Sequence, residues 1–311
     1  MHLRRLGNSG LKVSVVGLGC NNFGMRIDEA QTQAVVDAAI AAGINFFDTA
    51  DIYGATQSEV FLGKALGRRR KDVIVATKFG MAVKGDQAKM GGSRRWIMQA
   101  VEDSLTRLGT DYIDLYQFHT PDADTPVEET LRALDDLVRQ GKVRYLGNSN
   151  FAGWQIADAD WIARTEHLNR FVSAQNELSL LNRRSLFEVL PACERFGLGF
   201  LPYFPLASGL LSGKYRRGEA PGQDTRLAAW GERGQRALTE ENFNKVEALT
   251  AWAAARGRSL LDLAFAWLLA QPSVSSVIAG ATQPGQIAAN AATADWALTA
   301  DEVAEVTKLV S

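Results

Sequence analysis

Short apolar, β-rich runs alternate along this chain with longer stretches whose apolar residues recur at helical spacing, and no other feature restricts its fold as strongly. The runs 13–18, 44–47, 73–77, 113–118, 143–146, 171–174, 200–203 and 274–279 are the expected strands. The spacing predicts helices over 28–42, 58–66, 93–108, 154–164, 183–195 and 300–310, with a helix pair from about 240 to 269. The helix after the fourth strand is expected to start from Thr125 as N-cap, with Pro126 at the first helical position and Glu128 completing a capping box; Gly141 closes it. Eight such alternations imply parallel strands joined by right-handed crossovers. At 311 residues they fit one closed (β/α)8 barrel spanning 1–311 better than an open sheet. Residues 3–13, with Asn8-Ser9-Gly10 as the turn, predict an extra hairpin at the barrel bottom.

Composition narrows the partners. A 46% hydrophobic, 22% charged chain can bury a large core by itself, and a net charge of -1 provides no bulk attraction for nucleic acid or an anionic membrane. Cys20 and Cys193 are too few and too distant for a disulfide framework or a CxxC site. The start MHLRRLGNSG has no apolar signal core, and the longest apolar stretch, 260–270, is interrupted by Asp262. A cytoplasmic protein with a small-molecule ligand is expected, and oligomeric state stays open.

Chemistry in such a barrel belongs where strands end. The second expected strand ends in Asp48, with Tyr53 five residues on; the third ends at Lys78 and the fourth at His119. Singly these are a turn cap, a packing aromatic, a solvated strand end and a rim histidine. Together they bring an acid, a phenol, an ammonium and an imidazole to one rim.

These residues stand in motifs that resemble the aldo-keto reductases, a family of (β/α)8-barrel oxidoreductases using a nicotinamide cofactor. The resemblance covers nearly the whole chain. It runs through Phe47-Asp48-Thr49-Ala50-Asp51-Ile52-Tyr53-Gly54, Ala76-Thr77-Lys78, Gln117-Phe118-His119, Gly147-Asn148-Ser149-Asn150-Phe151, Gln175-Asn176-Glu177 and the segment from Pro205 to Tyr215. It implies a catalytic tetrad of Asp48, Tyr53, Lys78 and His119 that reduces an aldehyde or ketone to an alcohol without a metal. A phenol with a pKa of about 10 is a weak acid at neutral pH, and an adjacent ammonium is expected to lower it. Tyr53 is thus the proton donor, Lys78 the ammonium, Asp48 its anchor and His119 the group that orients the carbonyl.

The resemblance also implies a cofactor site. Ser149, Asn150 and Gln175 match residues that hold the nicotinamide carboxamide, and Tyr203 matches a ring that stacks on it. Leu206, Ser208, Gly209, Lys214 and Arg226 match the pyrophosphate strap, and Gly280, Thr282, Gln286 and Asn290 the adenosine end. Ala279, Gln283, Gln286 and Ala289 depart from common family choices there, so NADP(H) is favoured by the family majority while NAD(H) stays possible.

Rival classes fit less well. Gly17-Leu18-Gly19-Cys20-Asn21-Asn22 lacks the third glycine of a dinucleotide fingerprint, and Gly147-Asn148-Ser149-Asn150-Phe151 fails the G-x-S-x-G pattern at its last position. His2, His119 and His167 lack paired ligand spacing. The alternatives that remain are a cofactor-binding regulatory protein resembling potassium-channel β subunits, or a sugar or alcohol dehydrogenase working in the oxidative direction. A short segment 120–124 and the absence of a long closing tail after helix 300–310 predict an open carbonyl pocket walled by Trp, Phe and Leu, with Phe23, Met25 and parts of 81–92 and 227–234.

Overall fold

The computed structural model describes residues 1–220, 222, 225–229 and 231–311, with Arg226 and Arg233 described by backbone alone. The chain opens with an antiparallel hairpin, β1 (Leu3–Arg5) and β2 (Lys12–Ser14), whose turn is closed by the Leu6 N–H donating to the Leu11 carbonyl at 2.8 Å. Strands and helices then alternate: β3 (Val16–Gly19), α1 (Glu29–Ala41), β4 (Phe46–Asp48), α2 (Gln57–Leu66), β5 (Ile74–Phe79), α3 (Arg94–Leu108), β6 (Ile113–Phe118), α4 (Val127–Arg139), β7 (Val143–Ser149), α5 (Gly153–Thr165), β8 (Phe171–Gln175), α6 (Val189–Phe196) and β9 (Gly199–Phe200). A long excursion carries α7 (Arg226–Ala229), α8 (Glu232–Gln235), α9 (Glu240–Ala254) and α10 (Leu260–Leu269), followed by β10 (Val277–Gly280), α11 (Pro284–Ala292) and α12 (Ala300–Leu309).

The eight strands run parallel in the order β10-β3-β4-β5-β6-β7-β8-β9. Hydrogen bonds join the two ends: Phe200 N–H to the Ser273 carbonyl at 2.7 Å, Ser275 N–H to the Phe200 carbonyl at 3.0 Å, and Ile278 N–H to the Pro202 carbonyl at 3.1 Å. The sheet thereby curls into the expected (β/α)8 barrel. Leu6 and Val13 of the hairpin cluster with Phe46, Ile74, Leu115, Leu201 and Ile278 from the barrel interior, so the hairpin plugs the end where the strands begin. The larger core lies between sheet and helices, and the strands, covered on both sides, are buried nearly throughout.

Local chemistry explains where the elements start and stop. Asp28 caps α1 in a reciprocal box with Gln31, Ser93 caps α3, and left-handed Gly109 ends it. Four sequence expectations shift. The run 13–18 is split at Val15, its first part serving the hairpin and its second the barrel. α4 starts one residue late, because Pro126 is extended at the N-cap while the Thr125 hydroxyl is taken by Asp122 Oδ2 at 2.7 Å and Glu128 pairs with Arg132, so no capping box forms. The helix expected over 183–195 is a single turn, Arg184–Leu186, followed by α6, which accepts Pro191 in its first turn where amide hydrogens need no helical partner. The last two strands are short, with Tyr203 beyond β9 in an isolated bridge to Glu177 and Val274 in one to Phe200.

Candidate active site

The register brings strand ends into a ring: Gly19 beside Asp48, Asp48 beside Ala76, Lys78 beside Gln117, and Ser149 beside Gln175. Asp48 closes β4, and the chain then turns through Tyr53–Thr56 with three successive positive φ values, Gly54 at 55°, Ala55 at 52° and Thr56 at 82°. A Cβ on Gly54 would lie 2.3 Å from the Phe23 carbonyl oxygen, so only glycine allows this close turn. Left-handed backbone at Ala55 and Thr56 is local strain of the kind found at functional sites. The turn carries the half-buried Tyr53 back over the barrel mouth.

Lys78 is fully buried and its Nζ donates to Asp48 Oδ2 at 2.6 Å, to the Thr49 carbonyl at 2.9 Å and to the Tyr53 hydroxyl at 3.3 Å. Burial alone would push its pKa down, but Asp48 and Tyr53 together outweigh it and hold the ammonium above its ordinary value. The Tyr53 phenol also lies above its ordinary value. Burial raises it and Lys78 pulls it down by less, with Asp48 adding to the rise. The expected net lowering is therefore overturned by desolvation, and the phenol keeps its proton. His119 stands edge-on to the Tyr53 ring, centroids 5.8 Å apart and planes at 82°. Burial, then the charge of Lys78, drives its pKa well below the usual value, so the imidazole is neutral, and its Nδ1 is buried without a hydrogen-bond partner.

Asp48, Tyr53 and His119 border a cavity of about 450 Å³, with Lys78 sealed beneath. Ser149, Asn150, Gln175, Tyr203, Leu206, Ser208, Gly209, Lys214, Gly280, Thr282, Gln286 and Asn290 border the same cavity. Asn150, at φ 61°, donates to the His119 carbonyl at 2.9 Å and accepts from the Tyr203 hydroxyl at 2.8 Å, which tethers that ring at the rim. Ser149 donates to the Gln175 carbonyl at 2.8 Å. Ser208 (φ 60°) and Gly209 (φ 101°) bend the strap segment, where a Cβ on Gly209 would lie 2.9 Å from Lys214 Nζ. Thr282 N–H donates to Gln286 Oε1 at 2.8 Å, closing the loop before α11. The Arg226 side chain lies outside the described residues.

Some cavity residues escaped the sequence reading. Asn21, Asn22 and Arg26, just past β3, border it, as do Phe204 and Leu261. The rule applied to strands two to four, applied equally to strand one, points to the asparagines. The expected pocket wall is partly different: Met81 borders the cavity, but Phe23 is wholly buried in the core, Met25 is 62% exposed, and Leu227 packs with Leu210, Tyr215 and Phe243. Among the described residues no tryptophan borders it, and Trp230 of the expected 227–234 wall lies outside the described residues. Among the described residues no group of three or more His, Cys, Asp or Glu is placed to hold a metal, and no helix is long and apolar enough to cross a membrane.

The barrel thus carries a buried Lys-Asp pair beneath a phenol and a neutral imidazole at one rim. The aldo/keto reductase family model matches residues 15–311, and the chain belongs to that family. It is similar to a probable voltage-gated potassium channel subunit beta of Oryza sativa subsp. japonica, 39% identical over 93% of this chain and 90% of that one. The probable voltage-gated potassium channel subunit beta of Arabidopsis thaliana is 37% identical over the same shares. An uncharacterized oxidoreductase, YrpG of Bacillus subtilis (strain 168), is 38% identical over 90% of this chain and 87% of its own.

Proposed function

We propose that the chain is an NADP(H)-dependent reductase of small aldehydes or ketones, with Tyr53 as proton donor. One observation carries the reading: a protonated phenol whose oxygen lies 3.3 Å from a buried ammonium, beside a neutral imidazole, at the floor of an open cavity. The residues fit a dinucleotide. The cavity runs from the tetrad to Gly280, Thr282 and Asn290, the tethered Tyr203 ring offers a flat wall, and Arg26 and Lys214 bring positive charge. Ser149, Asn150 and Gln175 would hold the carboxamide, Lys214 with Ser208 and Gly209 the pyrophosphate, and Thr282 and Gln286 the adenosine end. Bound there, a reduced nicotinamide would supply the hydride.

Everything else is the work of the chain. His119, kept neutral by burial, can donate one hydrogen bond to a carbonyl oxygen without contributing a charge. As that oxygen gains negative charge, Tyr53 passes it the hydroxyl proton, and Lys78 stabilises the phenolate left behind. Asp48 and the Thr49 carbonyl keep the ammonium in place. Proton donation of this kind contributes about 10²–10⁴ in rate.

Preference for NADP(H) over NAD(H) rests on Thr282 and Gln286 at the adenosine end, with Arg26 also bordering the cavity, since one charge-assisted hydrogen bond to the additional phosphate contributes about 1.5–3 kcal/mol, at least tenfold in affinity. Dissociation constants for both cofactors in one buffer test this, and equal values sink it. Free, buried Cys20 and Cys193 suit a reducing cytoplasm. The plant relatives' names motivate a second reading, a cofactor-binding regulatory subunit. Cofactor-dependent turnover of a panel of aldehydes decides between them: cofactor binding without any turnover favours the regulator.

A further inference from the structure

Asp48 is held from both sides. Its Oδ2 takes Lys78, and its Oδ1 accepts two amide N–H groups, from Gln117 Nε2 at 2.9 Å and Gln175 Nε2 at 2.8 Å. Gln175 Nε2 also lies 3.4 Å from Gln117 Oε1, so the two amides and the carboxylate form one network. Gln175 borders the cavity, whereas Gln117 does not and is wholly buried. It sits on β6 between Lys78 of β5 and Gly147 of β7. A Cβ on Gly147 would lie 3.1 Å from Gln117 Cγ, so the glycine leaves the space that this side chain occupies. A buried amide is expensive unless its hydrogen bonds are made, and this one spends its N–H on the carboxylate beneath the phenol.

We propose that Gln117 is a positioning residue: its amide shares the negative charge of Asp48, so that the Lys78 ammonium is not fully neutralised and can stabilise a phenolate at Tyr53. The inference rests on the proposed reduction and adds to it a residue that touches neither substrate nor cofactor. Removing the Gln117 N–H concentrates the charge of Asp48 on Lys78. The tighter pair then offers less to Tyr53, and the phenol gives up its proton less readily. Carbonyl reduction slows, and alcohol oxidation, which needs the phenolate as base, moves to higher pH.

The test uses the full chain with Gln117→Leu, and Gln117→Met should the leucine variant fold poorly. The pH midpoint for alcohol oxidation by NADP+ should rise by about half to one unit, a loss of roughly three- to tenfold at neutral pH, with NADPH affinity and substrate KM within about twofold of wild type. Ultraviolet titration of tyrosinate in the cofactor-free chain should show the same displacement, with Tyr53→Phe marking which transition belongs to Tyr53. Gln117→Glu should work at acid pH, where its carboxyl still donates to Asp48, and fail as it ionises there. An unshifted midpoint together with a lowered melting temperature makes Gln117 a packing residue and overturns the proposal. Weakened NADPH binding with an unshifted midpoint overturns it as well. Wild type that turns over no carbonyl removes the proposed function, and the tyrosinate titration still decides the role of Gln117.

Discussion

Replacing Lys78 by methionine tests whether the charge pair under the phenol is as buried as its geometry implies. Methionine keeps an unbranched chain of similar length, so little packing is lost, but Asp48, 2% exposed, is left with two neutral amides in place of an ammonium at 2.6 Å. Breaking a buried pair by removing one partner costs about 3–5 kcal/mol. With an unfolding entropy of about 0.65 kcal/mol/K for 311 residues, that corresponds to a melting temperature lower by about 5–8 °C. The pH dependence has a definite sign. The folded-state pKa of Lys78 lies above its ordinary value, so its contribution is complete below about 10.4 and fades as pH rises through the folded value. The stability gap between wild type and Lys78→Met should therefore be full at pH 7 and shrink in strong alkali. Urea unfolding across that range reads the gap, and NADPH titration should show nearly unchanged binding because Lys78 does not border the cavity. A variant that melts within about 1 °C of wild type at neutral pH would refute the reasoning.

Tyr203→Ala should weaken NADPH binding by roughly two- to twelvefold, since ring stacking contributes about 0.5–1.5 kcal/mol, while the melting temperature barely moves; fluorescence titration and a thermal scan on one preparation check both. Asp51 is buried with neither carboxylate oxygen hydrogen-bonded, and burial, then Glu59, holds its carboxyl well above the usual range. The folded chain so keeps a proton that the unfolded chain releases above pH about 3.9, and stability falls as pH rises from there. Asp51→Asn should flatten that fall, and parallel urea-midpoint profiles for the two proteins would contradict it. Gly147→Ala places a Cβ 2.4 Å from Ser173 Oγ and 3.1 Å from Gln117 Cγ, and should cost about 1–3 kcal/mol by denaturant titration, along with part of the activity.

Much of this site could be read from the chain because parallel barrel strands are short and doubly buried, and bring polar side chains together at their C-terminal ends. That is why Asp48, Lys78 and His119 stood out, and why the hairpin and the barrel followed from the spacing. Cap chemistry was harder to read. Thr125 and Glu128 have the right spacing for a box, but Asp122, whose carboxylate also accepts from Gly92 and Asp124, captures the threonine through a fold-back that spacing does not encode. The direction of the Tyr53 shift was missed because the ammonium is visible in sequence while desolvation is not. Gln117 was invisible as a partner of Asp48, since every residue of β6 is buried and alternation cannot say which face turns inward.

The central claim is that the Tyr53 hydroxyl delivers the proton, and Tyr53→Phe with NADPH prebound, followed through a single turnover of a reactive aldehyde, tests it most directly. The change removes one oxygen and keeps the ring that packs against His119. NADPH affinity and melting temperature should stay near wild type, while the reduction rate falls by about 10² or more because no group remains to protonate the forming alkoxide. A phenylalanine variant that reduces the aldehyde within about threefold of wild type would contradict the account.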